Sequence, residues 1–301
     1  MNQLRFAVGV DVGGTKIAAA VVDSQGIIHQ SIKLKTDRHD RDRCVAQVAH
    51  AAHEAVAASG VAWEQIAAVG VDVPGIYYPG TGKVWAPNLP GWDQIPLRDW
   101  LAPQLPRPVV ADSDRSAYVL GEQWMGAARG FTDVVFLAVG TGIGAGIITG
   151  GHLCRGAEGI AGAAGWLALN PEKKDIYKQT GCWESEAAGP ALARRMGAAD
   201  AEAVVEAARR GDHAARHAIE ETTRYLAMGI ANLVSLLNPQ IIVLGGGLMQ
   251  AGDLFLEPLR REVRDWAQPL AVTSVRIELT RLGENAGLLG AARMALEAEI
   301  G

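Results

Sequence analysis

Cysteine is scarce in this chain. Its 301 residues hold three, Cys44, Cys154 and Cys182, an odd and scattered set. That gives no disulfide framework and points to a reducing compartment, the cytoplasm. Long runs of Lys or Arg are missing too, and the formal net charge is -5, so nucleic acid is not expected as a main partner. The start, Met1 to Arg5, passes straight into an apolar strand pattern without the regions of a signal peptide. A membrane partner is not expected either. The longest apolar run, Val134 to Gly151, has the length of a span, but its glycines make it a poor lone helix. Repeat arrays and low-complexity segments are absent. What is present is a large apolar share, 49% of residues against 20% charged, enough for two lobes of ordinary size with a substantial core.

The most informative stretch is Asp133 to Gly151. It reads as a buried strand, a Gly-rich turn and a second apolar strand, with Gly140, Gly142, Gly144 and Gly146 alternating. Such a turn lets backbone N–H groups approach an anion without Cβ obstruction. The spacing is not that of a dinucleotide-binding fingerprint, and no Gly-Lys-Ser/Thr ends it as in a Walker A loop. An echo lies at Phe6 to Asp23: apolar strand, a turn at Gly13, Gly14 and Thr15, apolar strand, with Asp11 before the turn and Lys16 after it. Either hairpin alone could be an ordinary glycine-bent one. Two in this order resemble the duplicated phosphate-gripping unit of the actin/hexokinase superfamily. The implied fold is α/β, a two-lobed actin-like (ribonuclease H-like) ATPase with a central nucleotide cleft.

Along the chain, residues 6–33 read as a three-stranded meander and residues 40–59 as a helix burying Val45, Val48, Ala51, Ala52 and Val56, stopped by Gly60. His50 and His53 lie three apart on it, a pattern more often a solvated face than a metal pair. A buried strand ends at Pro74-Gly75. The loop from Lys83 to Trp92 combines Trp85, Asn88 and Trp92, which either cap the core or offer the apolar face and fixed amide of a sugar site. Pro108 to Asp114 reads as a short strand whose end carries Asp112 and Asp114, on one side if the strand is regular. Helices are expected over 183–196, 199–210, 214–237 and 285–297. Gln240 to Met249 reads as a strand entering the turn Gly245, Gly246, Gly247, which suits an anion or adenosine at a helix N-terminus. The pattern places the smaller lobe at 1–115, joined by the C-terminal helix 287–301, and the larger lobe at 116–286.

Together these motifs resemble the ROK family of bacterial sugar kinases and sugar-responsive repressors. They are Asp11-Val-Gly-Gly-Thr-Lys16, Pro74-Gly75, Ala86-Pro-Asn-Leu-Pro-Gly-Trp92, Asp114 with Gly121-Glu122, Val139-Gly-Thr-Gly-Ile-Gly144, Gly181-Cys-Trp-Glu184, Leu244-Gly-Gly-Gly247 and Ala286-Gly-Leu-Leu-Gly290. The chain begins at the first strand, without the helix-turn-helix of the repressors, which favours the kinase branch. The resemblance implies ATP-dependent phosphorylation of a hexose, amino sugar or unusual sugar. It assigns Asp114 as catalytic aspartate, over its neighbour Asp112, and Pro74, Gly75, Asn88 and Glu184 to the sugar. The phosphates fall to Gly13, Gly14, Thr15, Lys16, Gly140, Thr141, Gly142, Gly144, Gly245, Gly246 and Gly247. Mg²⁺ is expected near Asp11, and an isologous homodimer is the default.

The departures matter as much. Trp166, Asp175 and Tyr177 stand where a zinc histidine and two zinc cysteines would, leaving Cys182 alone, so no structural zinc is expected. Ala163 and Trp166 replace the Glu and His of the Glu-x-Gly-His sugar motif. Trp166 then either lines the sugar pocket or fills the hole left by the metal. Two other readings stay open: a catalytically idle sugar- or nucleotide-binding protein, and a glucokinase using polyphosphate, for which the sequence shows no basic channel.

Overall fold

Phe6–Val12 (β1), Lys16–Asp23 (β2) and Ile28–Lys35 (β3) form the antiparallel meander that the turn residues predict. They open a computed structural model that describes residues 5–298. Helix Arg41–Ser59 (α1) starts where the Asp40 side chain accepts the Arg43 N–H, and stops at Gly60 with φ 70°. Its Val45, Val48, Ala51, Ala52 and Val56 are buried as expected. Of the two histidines on it, His50 faces Glu54 and His53 bonds the Gln104 carbonyl.

Ile66–Val73 (β4) is buried along its whole length, as befits a strand covered on both faces. A small hairpin follows, Ile76–Tyr78 (β5) with Lys83–Trp85 (β6), then the short helix Leu97–Leu101 (α2). Trp92 is buried at 2% exposure and closes the loop onto the core, whereas Trp85 is 38% exposed. Val109–Ser113 (β7) runs into helix Asp114–Met125 (α3), capped by the Ser113 hydroxyl. The strand thus ends one residue before Asp114, so the expectation that Asp112 and Asp114 share a strand face does not hold.

Val134–Val139 (β8), Ile143–Thr149 (β9) and His152–Leu153 (β10) repeat the meander. Tyr177–Thr180 (α4) precedes a region expected as one helix. The structure breaks it at Ala188 into Cys182–Ala187 (α5) and Gly189–Met196 (α6), because Pro190 lacks the N–H needed to continue α5 yet suits the first turn of α6. Ala201–Arg209 (α7) and His213–Leu237 (α8) follow, then Ile241–Gly245 (β11), Gly252–Trp266 (α9), Ala271–Ser274 (α10) and Arg276–Leu279 (β12). The chain finishes with Asn285–Glu297 (α11).

Among the described residues one sheet has the order β3-β2-β1-β4-β7 and another β10-β9-β8-β11-β12. In both, the first three strands are antiparallel and the last two join in parallel. The echo seen between the two hairpins is therefore an echo of whole sheets.

The chain separates into two compact units. One comprises the chain up to Gly130, Arg155–Ala161 and the chain from Glu284 onward; the other is Phe131–Cys154 with Gly162–Gly283. The change of unit falls after Gly130 rather than at 115, since α3 packs along α11 in the first unit. That packing is close: a Cβ on Gly121 would lie 2.3 Å from the Ala286 carbonyl oxygen, and one on Gly290 1.8 Å from that of Ala117. No helix among the described residues is long and apolar enough to cross a membrane.

Candidate active site

In the first unit the parallel register of β1, β4 and β7 aligns Asp11 with Asp72 and Asp72 with Asp112, a row of carboxylates across three strands. Each meets a different fate. Asp112 is buried and receives the Arg155 Nε at 2.6 Å. Asp72 is fully buried, and among the described residues neither of its carboxylate oxygens has a protein donor. Its neighbour in the row is the Asp11 carboxyl, and a hydrogen bond between the two exists only when one carries a proton. Desolvation, then the charge of Asp11, pushes Asp72 well above the usual carboxylate range. Sequence reasoning missed Asp72; its only signal was a carboxylate within an otherwise apolar strand.

Asp114 opens α3, half-buried, with one oxygen accepting the Arg115 N–H at 2.8 Å. Desolvation raises its pKa to about 7 against the opposing effect of Arg115. The Arg115 guanidinium reaches the Gly75 carbonyl, just past Pro74. Asn88 is exposed, and its Cβ lies 4.0 Å from where a Cβ on Gly14 would stand, so the loop of Asn88 borders the first glycine turn. In that turn the Gly13 N–H donates to the Lys16 carbonyl, and Thr15 is exposed. Lys16 is engaged by Glu284 at 2.9 Å, which also receives Lys33 at 2.8 Å. These two lysines hold the Glu284 carboxyl at about 2. Glu284 is a second residue that sequence reasoning did not single out.

In the second unit the turn between β8 and β9 is closed by the Gly140 N–H on the Gly142 carbonyl, and the Gly140 carbonyl accepts the Gly189 N–H. Glu184 on α5 sits directly against this turn. Its Oε2 accepts the Ile143 N–H at 2.8 Å, and a Cβ on Gly142 would lie 2.7 Å from that oxygen. Desolvation raises the Glu184 pKa, opposed by the Ile143 hydrogen bond. Gly246 takes φ 90°, and its backbone approaches Val139 so closely that a side chain would clash. A cavity of about 700 Å³ is lined by Gly140, Thr141, Gly247, Pro190, Glu202 and Gln250, among others. It joins the second and third glycine turns to α6 and α7. Those helices gave no sign in the sequence of lining anything. Gly144 and Gly245 are instead strand residues of β9 and β11, the latter against the Phe136 ring.

Trp166 is 57% exposed and so is not a plug in the core. Its neighbour Gly165 lies against the Glu184 side chain. The zinc-aligned positions are otherwise engaged. The Cys182 sulfur accepts the Leu169 N–H, Tyr177 hydrogen-bonds Glu186, and Asp175 pairs with Lys178. An indole, a phenol, a carboxylate and one thiol do not make a zinc set. Mg²⁺ fits better, because Asp11 and the orphaned oxygens of Asp72 are hard donors beside the first glycine turn.

The sequence model of the ROK family matches residues 7–298. A glucokinase from Thermotoga maritima is 33% identical over 96% of this chain and 97% of its own length. Among solved structures, a ROK hexokinase from Thermus thermophilus superposes with a TM-score of 0.85 at 33% identity, covering 98% of this chain and 100% of that one. A ROK family glucokinase from Streptomyces griseus, solved with glucose and AMPPNP, gives 0.81 at 32% identity, covering 97% and 99%. The shared fold is the α/β, actin-like ATPase fold with its two units. Likeness of this extent, in sequence and in backbone, places the chain in the ROK family.

Proposed function

We infer that this protein transfers the γ-phosphate of ATP to a hydroxyl of a hexose, amino sugar or less common sugar, with Asp114 as general base. It is a carbohydrate kinase by family, and the finer assignment rests on one contrast. Asp112 is spent on Arg155, whereas Asp114 is half-open, has no ion pair among the described residues and is raised to about 7. A carboxylate near neutrality is well matched to take a proton from a sugar hydroxyl.

The hydroxyl oxygen forms its bond to the γ-phosphorus, the bond from that phosphorus to the β–γ bridging oxygen breaks, and the hydroxyl proton passes to Asp114. Sugar phosphate and ADP result. Asn88 and Glu184 are assigned to other sugar hydroxyls by the family's motifs, and Pro74, Gly75 and Trp166 are assigned to the sugar as well. Gly14 and Thr15 with Lys16, and Thr141 and Gly142, are assigned to offer N–H groups and charge to phosphate oxygens, Gly13 and Gly140 closing the two turns with their own N–H groups, and Gly247 borders the nucleotide cavity. Mg²⁺ held by Asp11 would supply charge neutralisation on those phosphates.

ATP is favoured over polyphosphate by the cavity wall, which carries Asp200, Glu202 and Glu206. Arg209, the cation there, is committed to Asp253 at 2.8 Å and Glu206 at 3.0 Å. A polyanion would meet carboxylates. The test is sugar-stimulated ADP release across a panel of hexoses, amino sugars and unusual sugars. Absence of any stimulation overturns the kinase reading, and equal turnover on polyphosphate overturns the nucleotide assignment.

A further inference from the structure

Helix α5 is six residues long and carries no side-chain cap at its start, Gly181, where φ is 85°. So short a helix has little stability of its own, and its orientation is set by what grips it. It is gripped on opposite sides. Glu184 reaches the glycine turn through the Ile143 N–H. Two residues on, and so about 200° around the helix, Glu186 turns the other way. Its Oε1 receives Lys174 Nζ at 2.7 Å, from the loop before α4, and the Tyr177 hydroxyl, from the first residue of α4. Its Oε2 receives the Arg195 guanidinium from α6 at 3.4 Å. The cluster extends outward: Arg195 also donates to Thr222 Oγ1 of α8 at 2.9 Å, and Asn170 donates to the Tyr177 oxygen at 3.1 Å.

Glu186 is 7% exposed, and burial works against its charge. The hydrogen bonds from Lys174 and Tyr177 outweigh that and hold its carboxyl below the ordinary glutamate value. A buried anion with three donors drawn from a loop and two helices is a fixed point. Remove its charge and Lys174 and Arg195 lose their common partner, while Tyr177 keeps at most a neutral one.

We propose that Glu186 is a positioning residue: with Lys174, Tyr177 and Arg195 it fixes α5 so that Glu184 is held against the Gly140–Gly142 turn at the orientation that receives the sugar. The sugar half of this statement rests on the function proposed above; the orientation half does not. The network does not touch substrate and does not act on the phosphoryl group. Its loss is therefore felt in sugar affinity more than in turnover.

The test is Glu186→Gln, which keeps shape and removes charge, with Tyr177→Phe as a milder variant should the first fail to fold. Amide exchange at Ile143, read by NMR, reports the Glu184 contact directly, and Val243 in β11 serves as reference. The expected result is exchange at Ile143 faster by about tenfold, with Val243 unchanged. The sugar KM should rise by a similar factor of about ten, exceeding any fall in kcat, while the ATP KM stays within about twofold. A lower melting temperature with unaltered Ile143 exchange overturns the proposal and leaves the network merely structural. If the unmodified protein phosphorylates no sugar, the functional reading fails, and the Ile143 measurement still decides whether Glu186 orients Glu184.

Discussion

Arg155 donates its Nε to Asp112 at 2.6 Å, from a segment that follows β10 in sequence yet belongs to the unit of Asp112. This pair engages one of two carboxylates two residues apart and, in the function proposed above, leaves Asp114 free to act as the base.

Asp114→Asn should cut kcat by about 10²–10⁴ while ATP still binds, since Asn keeps the shape but cannot take the proton. Asp112→Asn should act differently. It strands a half-exposed Arg155, so melting temperature should drop while kcat stays within about tenfold of the parent. If the two variants exchanged these phenotypes, Asp112 would be the base.

The pH profile should carry the mark of Asp114. Its free-enzyme pKa is raised to about 7, so kcat/KM should fall as pH drops through that value. The stability sign is opposite. The folded state binds this proton more tightly than the unfolded chain, whose value is near 3.8. The contribution of this group to stability is therefore full below 3.8 and is lost as pH rises toward about 7. A kcat/KM profile flat from pH 5 to 8 would remove Asp114 from the base role.

Chelators should leave the fold intact. The loop ahead of α5 is tied by Tyr177, Lys174 and Glu186, and the residues aligned with zinc ligands are Trp166, Asp175, Tyr177 and Cys182. Where zinc is structural, its removal unfolds the site. Melting curves with and without EDTA should coincide, and metal analysis should find no stoichiometric zinc; one equivalent per chain would contradict this.

Trp166→His should change little in stability, within about 0.5 kcal/mol, as expected for a side chain 57% exposed. It should change the ranking of sugars, because Ala163 and Trp166 leave that end of the proposed pocket with fewer hydrogen-bonding groups. The parent enzyme should handle glucose poorly and favour a sugar altered at the facing end. An unchanged ranking in the variant would take Trp166 out of the sugar site.

The sequence alone determined the local frame. Turn glycines between apolar runs specify both hairpins, and Asp40 and Gly60 bound α1 because a cap acts within a few residues of its own backbone. Even the duplication could be read, since each hairpin encodes itself. Tertiary structure decided what distant groups do to one another. Asp112 meets a cation 43 residues away, and no pattern in the chain says which carboxylate will find Arg155. Asp72 looks like any strand aspartate until β1 and β7 close on either side and exclude its water. The cavity beside the second and third glycine turns takes its wall from α6 and α7, whose sequences show only amphipathic helices. Glu186 and Tyr177 likewise become a pair only when the loop folds back. Capping and turn preference act over neighbouring residues and are written in order along the chain. Desolvation and ion pairing depend on which atoms end up adjacent, and only packing sets that.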